Sequence, residues 1–388
     1  MRKFILNGIA VMAMSSPLFV SAAAADVPRP ANHVDTAQAL TVTVDASATK
    51  AVLEALGNPA LTMGQALRVA ALPGNQGLIR KARSYGRPGT DELFAQALVA
   101  AARRDDTAPD PGRFRFAPVR DRAAQIEATL AKLEDPAANL LAGVKARIAE
   151  YTPPAARGHV TGYLIVGGTS GGFAFGDPEF FLNLERFPSA PLATTIMQHE
   201  LFHAVQGVAR KANGTDTACV AKIPHGEELS KLFAALETEG SASLVGDVGE
   251  MPAGIDKESD DARRKARRNV ELVDSSITLL ELSVHALDTG AKVSYDDIYA
   301  LGFYGDEVLY GLGYVMARAI AAEEGNAAIA ALTGRPGALF VQRYRNLKGY
   351  GKSEKVPALH AGTLQAADRL AACAGGSAES RVAAAGHR

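Results

Sequence analysis

Residues 192–212 read LATTIMQHELFHAVQGVARKA, and the rest of the chain is organised around this stretch. Leu201, Ala204, Val205 and Val208 recur at helical spacing, and Ile196 sits one turn before the two histidines. Arg210 and Lys211 fall in the last turn, ahead of Asn213-Gly214. These are the signals of one helix with a basic C-terminal end. His199 and His203 are four residues apart and share a face. The apolar residues form a second face, which predicts a buried helix carrying two imidazoles and the Glu200 carboxylate inside. Buried ionisable groups need a partner, and a metal ion supplies one. His199-Glu200-Leu201-Phe202-His203 is an HExxH sequence. Tetrahedral zinc accepts two imidazoles, a third protein ligand and a water. The intervening Glu200 is placed to take a proton from that water.

Composition restricts the third ligand. The chain has 388 residues, 41 Lys+Arg against 42 Asp+Glu, and two cysteines. Two cysteines exclude a four-thiolate zinc site, so the ligands must be His and carboxylates. A net charge of -1 argues against nucleic acid as the main partner, because phosphate binding needs a basic surface. A metzincin would need Gly at 206 and His or Asp at 209, where this chain has Gln206 and Ala209. The ligand is then expected on a later helix. The first candidate is Glu239 in Glu237-Thr238-Glu239-Gly240-Ser241-Ala242-Ser243. Gly240 would let this helix approach the histidine helix closely; otherwise it is an unexplained helix cost of about 1 kcal/mol. Glu237 competes, but two residues along a helix means a different face.

HELFH followed 36 residues later by Glu-Gly-x-Ala-Ser resembles the gluzincin metallopeptidases, the thermolysin-like clan. The segments 44–56, Leu72-Pro73-Gly74-Asn75-Gln76-Gly77 and Tyr310-Gly311-Leu312-Gly313-Tyr314-Val315-Met316-Ala317 look more specifically like a bacterial family of zinc-dependent peptidases of unknown physiological role. The resemblance implies an α+β, predominantly helical fold: a zincin-like core with a small sheet and one zinc ion. It also implies a downstream Tyr or His that stabilises the oxyanion. Tyr310 is the first choice, with Tyr304, Tyr314, His225 and His285 as the others. The chain departs from thermolysin in its longer spacing, in Thr238 where Asn is usual, and in Ser243 where an Asp would support a histidine.

Outward from this centre, residues 26–155 read mainly as helices, at 45–56, 90–104, 123–133 and 140–151, stopped by Pro153-Pro154. They look like a scaffold for a core at 156–350. Strands are expected at 159–166, 173–175 and 180–184, with Gly167-Gly168-Thr169-Ser170-Gly171-Gly172 as a hairpin loop. That glycine run lacks the Gly-Lys-Ser/Thr ending of a phosphate loop. Helices follow at 192–212, 227–247, 262–288 and 305–322. In Arg263-Arg264-Lys265-Ala266-Arg267-Arg268, Asp260 and Asp261 lie four residues before Arg264 and Lys265, which predicts a paired, solvated helix face. Residues 351–388 read as a C-terminal helix and a flexible tail.

Residues 1–25 have the anatomy of a secretory signal: Arg2-Lys3, an apolar run, then Ser21-Ala22-Ala23-Ala24-Ala25. No later stretch is apolar enough to span a membrane. Export would place Cys219 and Cys373 in an oxidising space, where a disulfide is expected. The sum is a periplasmic or secreted zinc peptidase acting on a peptide or protein. The rival readings are a binding or structural module that keeps a structural zinc, and a zinc amidase acting on a non-protein amide.

Overall fold

The structure is a computed structural model and describes residues 40–187, 189–213 and 217–375. The expected signal segment and the end of the expected tail lie outside the described residues. The first described element is β1 (Thr41–Asp45). It is followed by α1 (Ser47–Leu56), α2 (Met63–Ala70), α3 (Pro73–Ser84), α4 (Asp91–Ala102), α5 (Phe116–Asp121), α6 (Ala123–Glu134) and α7 (Leu140–Ala149). Strands β2 (His159–Ile165), β3 (Gly172–Ala174) and β4 (Glu179–Asn183) come next. The remainder is helical: α8 (Ala190–Asn213), α9 (Thr217–Val220), α10 (Gly226–Val245), α11 (Lys257–Glu271), α12 (Val273–Asp288), α13 (Tyr295–Gly302), α14 (Val308–Glu324), α15 (Asn326–Leu332), α16 (Gly337–Arg345) and α17 (Ala361–Ala371). The fold is α+β and predominantly helical, as the sequence implied. Among the described residues no helix is long and apolar enough to cross a membrane.

The sheet has the order β1-β2-β4-β3. β1 and β2 run parallel with Val42 opposite Val160, and β2 and β4 run parallel with Tyr163 opposite Phe181. β3 is the antiparallel edge, with Phe173 opposite Phe181. This arrangement corrects three readings. β1 was not foreseen, because its Thr-Val-Thr-Val-Asp alternation is short and its face only half buried. Asp45 ends that strand, and its carboxylate accepts the Ser47 N–H at 2.7 Å where α1 begins. The glycine run 167–172 is not a hairpin loop, because β4 lies between β2 and β3; the hairpin joins β3 to β4. The expected helix 262–288 is two helices, broken at Leu272.

Helix α8 is buried through most of its length, from Ala190 to Gly207. Phe180 and Leu182 of β4, fully buried, form part of the apolar layer between sheet and helices. Behind α8, helices α10 and α14 cross at very short range. A Cβ added at Gly240 would lie 2.2 Å from the Gly313 backbone, and one at Gly313 would lie 2.4 Å from the Leu236 carbonyl. Gly240 therefore serves close packing, but against α14 and not against α8 as its position suggested. A disulfide joins Cys219 in α9 to Cys373 just past α17.

Candidate metal centre and active site

Helices α8 and α10 carry the centre. His199, Glu200 and His203 project from α8, and Glu239 from α10; all four are at most 7% exposed. The two imidazole Nε2 atoms lie 3.0 Å apart. The Glu239 Oε2 atom stands 3.7 Å from His199 Nε2 and 3.3 Å from His203 Nε2. It accepts no hydrogen bond, although it is buried.

The tautomer of His203 follows from its neighbour. The Gln206 amide Nε2 donates to the Thr238 carbonyl and to Ser241 Oγ, each at 2.9 Å. Gln206 Oε1 therefore faces His203 Nδ1 at 2.8 Å and can only accept, so Nδ1 carries the proton. The lone pair is left on Nε2. Burial lowers the His199 pKa, with the Glu239 carboxylate and the Ala242 backbone opposing. Two imidazole nitrogens and a carboxylate oxygen thus converge where a cation would satisfy them. Donors held ~2.0–2.1 Å from a tetrahedral ion lie roughly 3.3 Å apart, which is the spacing seen here. The donor set fits a metal ion, and among the described residues it is the group of three such side chains that meets.

Glu237, the competing ligand, is turned away. Its carboxylate accepts from Thr238 Oγ1 and Ser241 Oγ, each at 3.3 Å. Burial pushes it up to about 7, opposed by Arg210. Ser241 thereby joins Glu237 and Gln206 into a support behind His203. The sequence singled out Gln206 only for failing the metzincin pattern. A Gln three residues after the second histidine is on the ring's own face, and that spacing was the signal to read.

Glu200 is fully buried, and neither carboxylate oxygen has a hydrogen-bond partner. Burial pushes it up to about 7, against the charges of His203 and Lys81. It lies under the edge strand: a Cβ on Gly172 would come within 2.4 Å of Glu200 Oε1, so only glycine fits there. Lys81 of α3 was not foreseen. It is 2% exposed, and its ammonium sits 5.0 Å from the ring centres of Tyr85 and Phe173. Burial brings it down to about 8, with Glu200 opposing. Its signal was hidden because a Lys near a helix end reads as a solvated residue.

Of the oxyanion candidates, the structure brings Tyr310 to the centre. Its ring lies nearly parallel to that of His199, with centroids 6.3 Å apart. The hydroxyl is buried close to Glu239 but forms no hydrogen bond. Burial first, and then the Glu239 charge, hold it well above the usual tyrosine range, so it stays protonated and able to donate. The other candidates are elsewhere. Tyr314 donates to Asp247 Oδ2 at 2.8 Å. Tyr304 is 48% exposed after α13. His225 faces Glu228 at the surface, and His285 is exposed on α12. Rings of Phe303, Tyr299 and Tyr295 continue outward from Tyr310 in steps of 5.9, 5.2 and 5.8 Å.

A cavity of about 1150 Å³ opens beside His199 and Tyr310. Helices α11 and α14 line it together with Arg122, Arg186 and Phe187. The charges of α11 pair one residue closer than expected, Asp260 with Arg263 and Asp261 with Arg264, while Lys265 reaches Glu307 at 2.9 Å.

A buried helix presenting two histidines and a glutamate, joined by a second glutamate from α10, defines a class of site able to hold a metal ion. Residues 67–348 match the family described as "Putative zinc dependent peptidase (DUF5700)". The match covers more than half of the chain, and the chain belongs to that family. No curated protein and no solved structure matches it significantly.

Proposed function

We propose that the chain is an exported peptidase of the gluzincin type that uses a single zinc ion. The observation that carries this reading is the convergence of His199, His203 and Glu239 beside a buried, partnerless Glu200. A purely structural metal would need the three ligands and not the second carboxylate, Glu200. When bound, zinc supplies Lewis acidity, which acidifies water and polarises a carbonyl. Glu200 then takes a proton from the attacking water and passes it to the leaving amine. Tyr310 donates its hydroxyl to the developing oxyanion.

A peptide can bind by adding a strand to a sheet edge, and β4, with neighbours on both sides, offers none. The sheet's edges are β1 and β3, and β3 is the one that lies against Glu200. Asn183 N–H donates to the Gly171 carbonyl at 2.7 Å. By antiparallel alternation, Gly172 and Ala174 turn their backbone groups outward, where an extended peptide can pair beside Glu200. Export is supported by the paired Cys219 and Cys373, which suit an oxidising compartment.

The test is Glu200→Gln. We expect peptide hydrolysis to fall ~10²–10⁴-fold while zinc stays bound at one per chain. A variant that cleaves like the parent sinks the assignment. Zinc-loaded parent protein that cleaves no member of a mixed peptide library would favour a binding module.

A further inference from the structure

Arg122 and Arg186 line the cleft together with Gly171, the residue before β3. Arg122 donates to the Glu185 backbone carbonyl at 2.6 Å and to its Oε1 at 3.3 Å. Arg186 approaches Glu185 Oε2 only to 3.9 Å and donates to the Thr169 carbonyl at 3.4 Å. Arg115 adds a third positive charge that acts on Arg186. One carboxylate, itself 7% exposed, thus faces two guanidinium groups, with the charge of Arg115 added beside them. Elsewhere in the cavity basic residues have carboxylates of their own: Lys265 pairs with Glu307, Arg268 with Asp306 and Arg318 with Glu250. The side chains of Arg122 and Arg186 remain 32% and 23% exposed, and both line the cavity that reaches His199. Burial, then the like charges of Arg115 and Arg122, depress the Arg186 pKa against the pull of Glu185. An added anion would relieve that repulsion.

The position gives the anion a source. Glu200 lies under Gly172, and Phe187 packs over Gly171, one residue nearer the arginines. A peptide added antiparallel to β3 runs its C-terminal part toward Gly171. We infer that Arg186 and Arg122 form a carboxylate-binding subsite for the part of a peptide substrate C-terminal to the scissile bond. The carboxylate is either the peptide's own C-terminus or an Asp or Glu side chain. Guanidinium groups suit it because they bind carboxylates through paired, charge-assisted hydrogen bonds. This inference rests on the peptidase reading and narrows its substrate class.

The experiment measures binding of fluorescent, N-acylated hexapeptides to zinc-loaded Glu200→Gln protein, and their cleavage by the parent. One set ends in a free carboxylate, a second in an amide, and a third in an amide with one Asp moved along the chain. A carboxylate-bearing set should bind ~10–100-fold more tightly than the neutral amide. Whether the free acid or the Asp set gains identifies the source. Arg186→Gln combined with Arg122→Gln should erase the preference and leave amide binding unchanged. The Lys versions, which retain charge and guard against misfolding, should keep part of it. Equal binding of all sets, or binding of none, overturns the subsite. Cleavage without preference overturns the subsite and leaves the peptidase reading intact. Preferential binding without cleavage of any peptide does the reverse.

Discussion

Helices α8 and α11 border the same cleft, and their ionisable side chains are treated in opposite ways. On α11 only Ser259 and Asn269 are buried. Its charges are answered locally, Lys257 by Asp261 at 2.6 Å and Lys265 by Glu307 at 2.9 Å. On α8, Glu200 is fully buried with both oxygens unpaired. Six basic or small residues in a row on α11 attract the eye more than HELFH does. Water and neighbours already satisfy them, so they imply no ligand. The α8 groups are buried, and an unsatisfied buried charge costs several kcal/mol. What distinguishes a site from a decorated surface here is which groups the fold leaves unanswered.

The comparison breaks most readily at the third ligand. Glu239→Ala should reduce bound zinc, measured by elemental analysis, from one ion per chain to a small fraction and abolish hydrolysis. Retention of stoichiometric zinc would show that another group completes the site. Tyr310→Phe comes next, with an expected ~10²-fold loss in kcat, as for a single oxyanion donor. Its melting temperature should not fall, because the hydroxyl it loses has no hydrogen-bond partner. A drop of several degrees would point to a packing role instead. Gln206→Ala removes the support of His203 Nδ1 and should weaken zinc binding ~10–100-fold in chelator competition. Unchanged affinity would mean the ring is held by packing alone. The smallest effect belongs to α11: Lys257→Ala, which loses one exposed ion pair, should change stability by less than ~0.5 kcal/mol in denaturant titration. A larger loss would mean that α11 is held in place by more than its surface pairs.

The same contrast shows why parts of the molecule were legible and others were not. The α8 helix and the convergence of His199, His203 and Glu239 were readable because each is fixed by helical spacing or by a buried charge that needs a partner. Tyr310 was readable from its Gly-flanked segment. The strand β1 was not, since five residues that pair only with β2, more than a hundred positions away, carry no local signature. The break at Leu272 was missed because apolar periodicity on its two sides is continuous enough to mimic one helix. Lys81 and the Arg115–Arg122–Arg186 cluster were invisible for a different reason. Their meaning depends on what surrounds them after folding, and isolated basic residues in sequence look like solvent-facing ones.

The Cys219–Cys373 bond spans 154 positions and divides the active site in an unusual way. His199, Glu200 and His203 belong to an open, linear part of the chain, while Glu239 and Tyr310 lie inside a covalent ring. Oxidation therefore shrinks the unfolded ensemble of the half that carries Glu239 and Tyr310, an effect on the order of 2–5 kcal/mol. A thiol reductant would act on the protein as a topological change, opening the ring while every metal ligand keeps its chemistry. Assembly of the centre then becomes the docking of a thread onto a loop, and its speed should depend on whether that loop has already been closed.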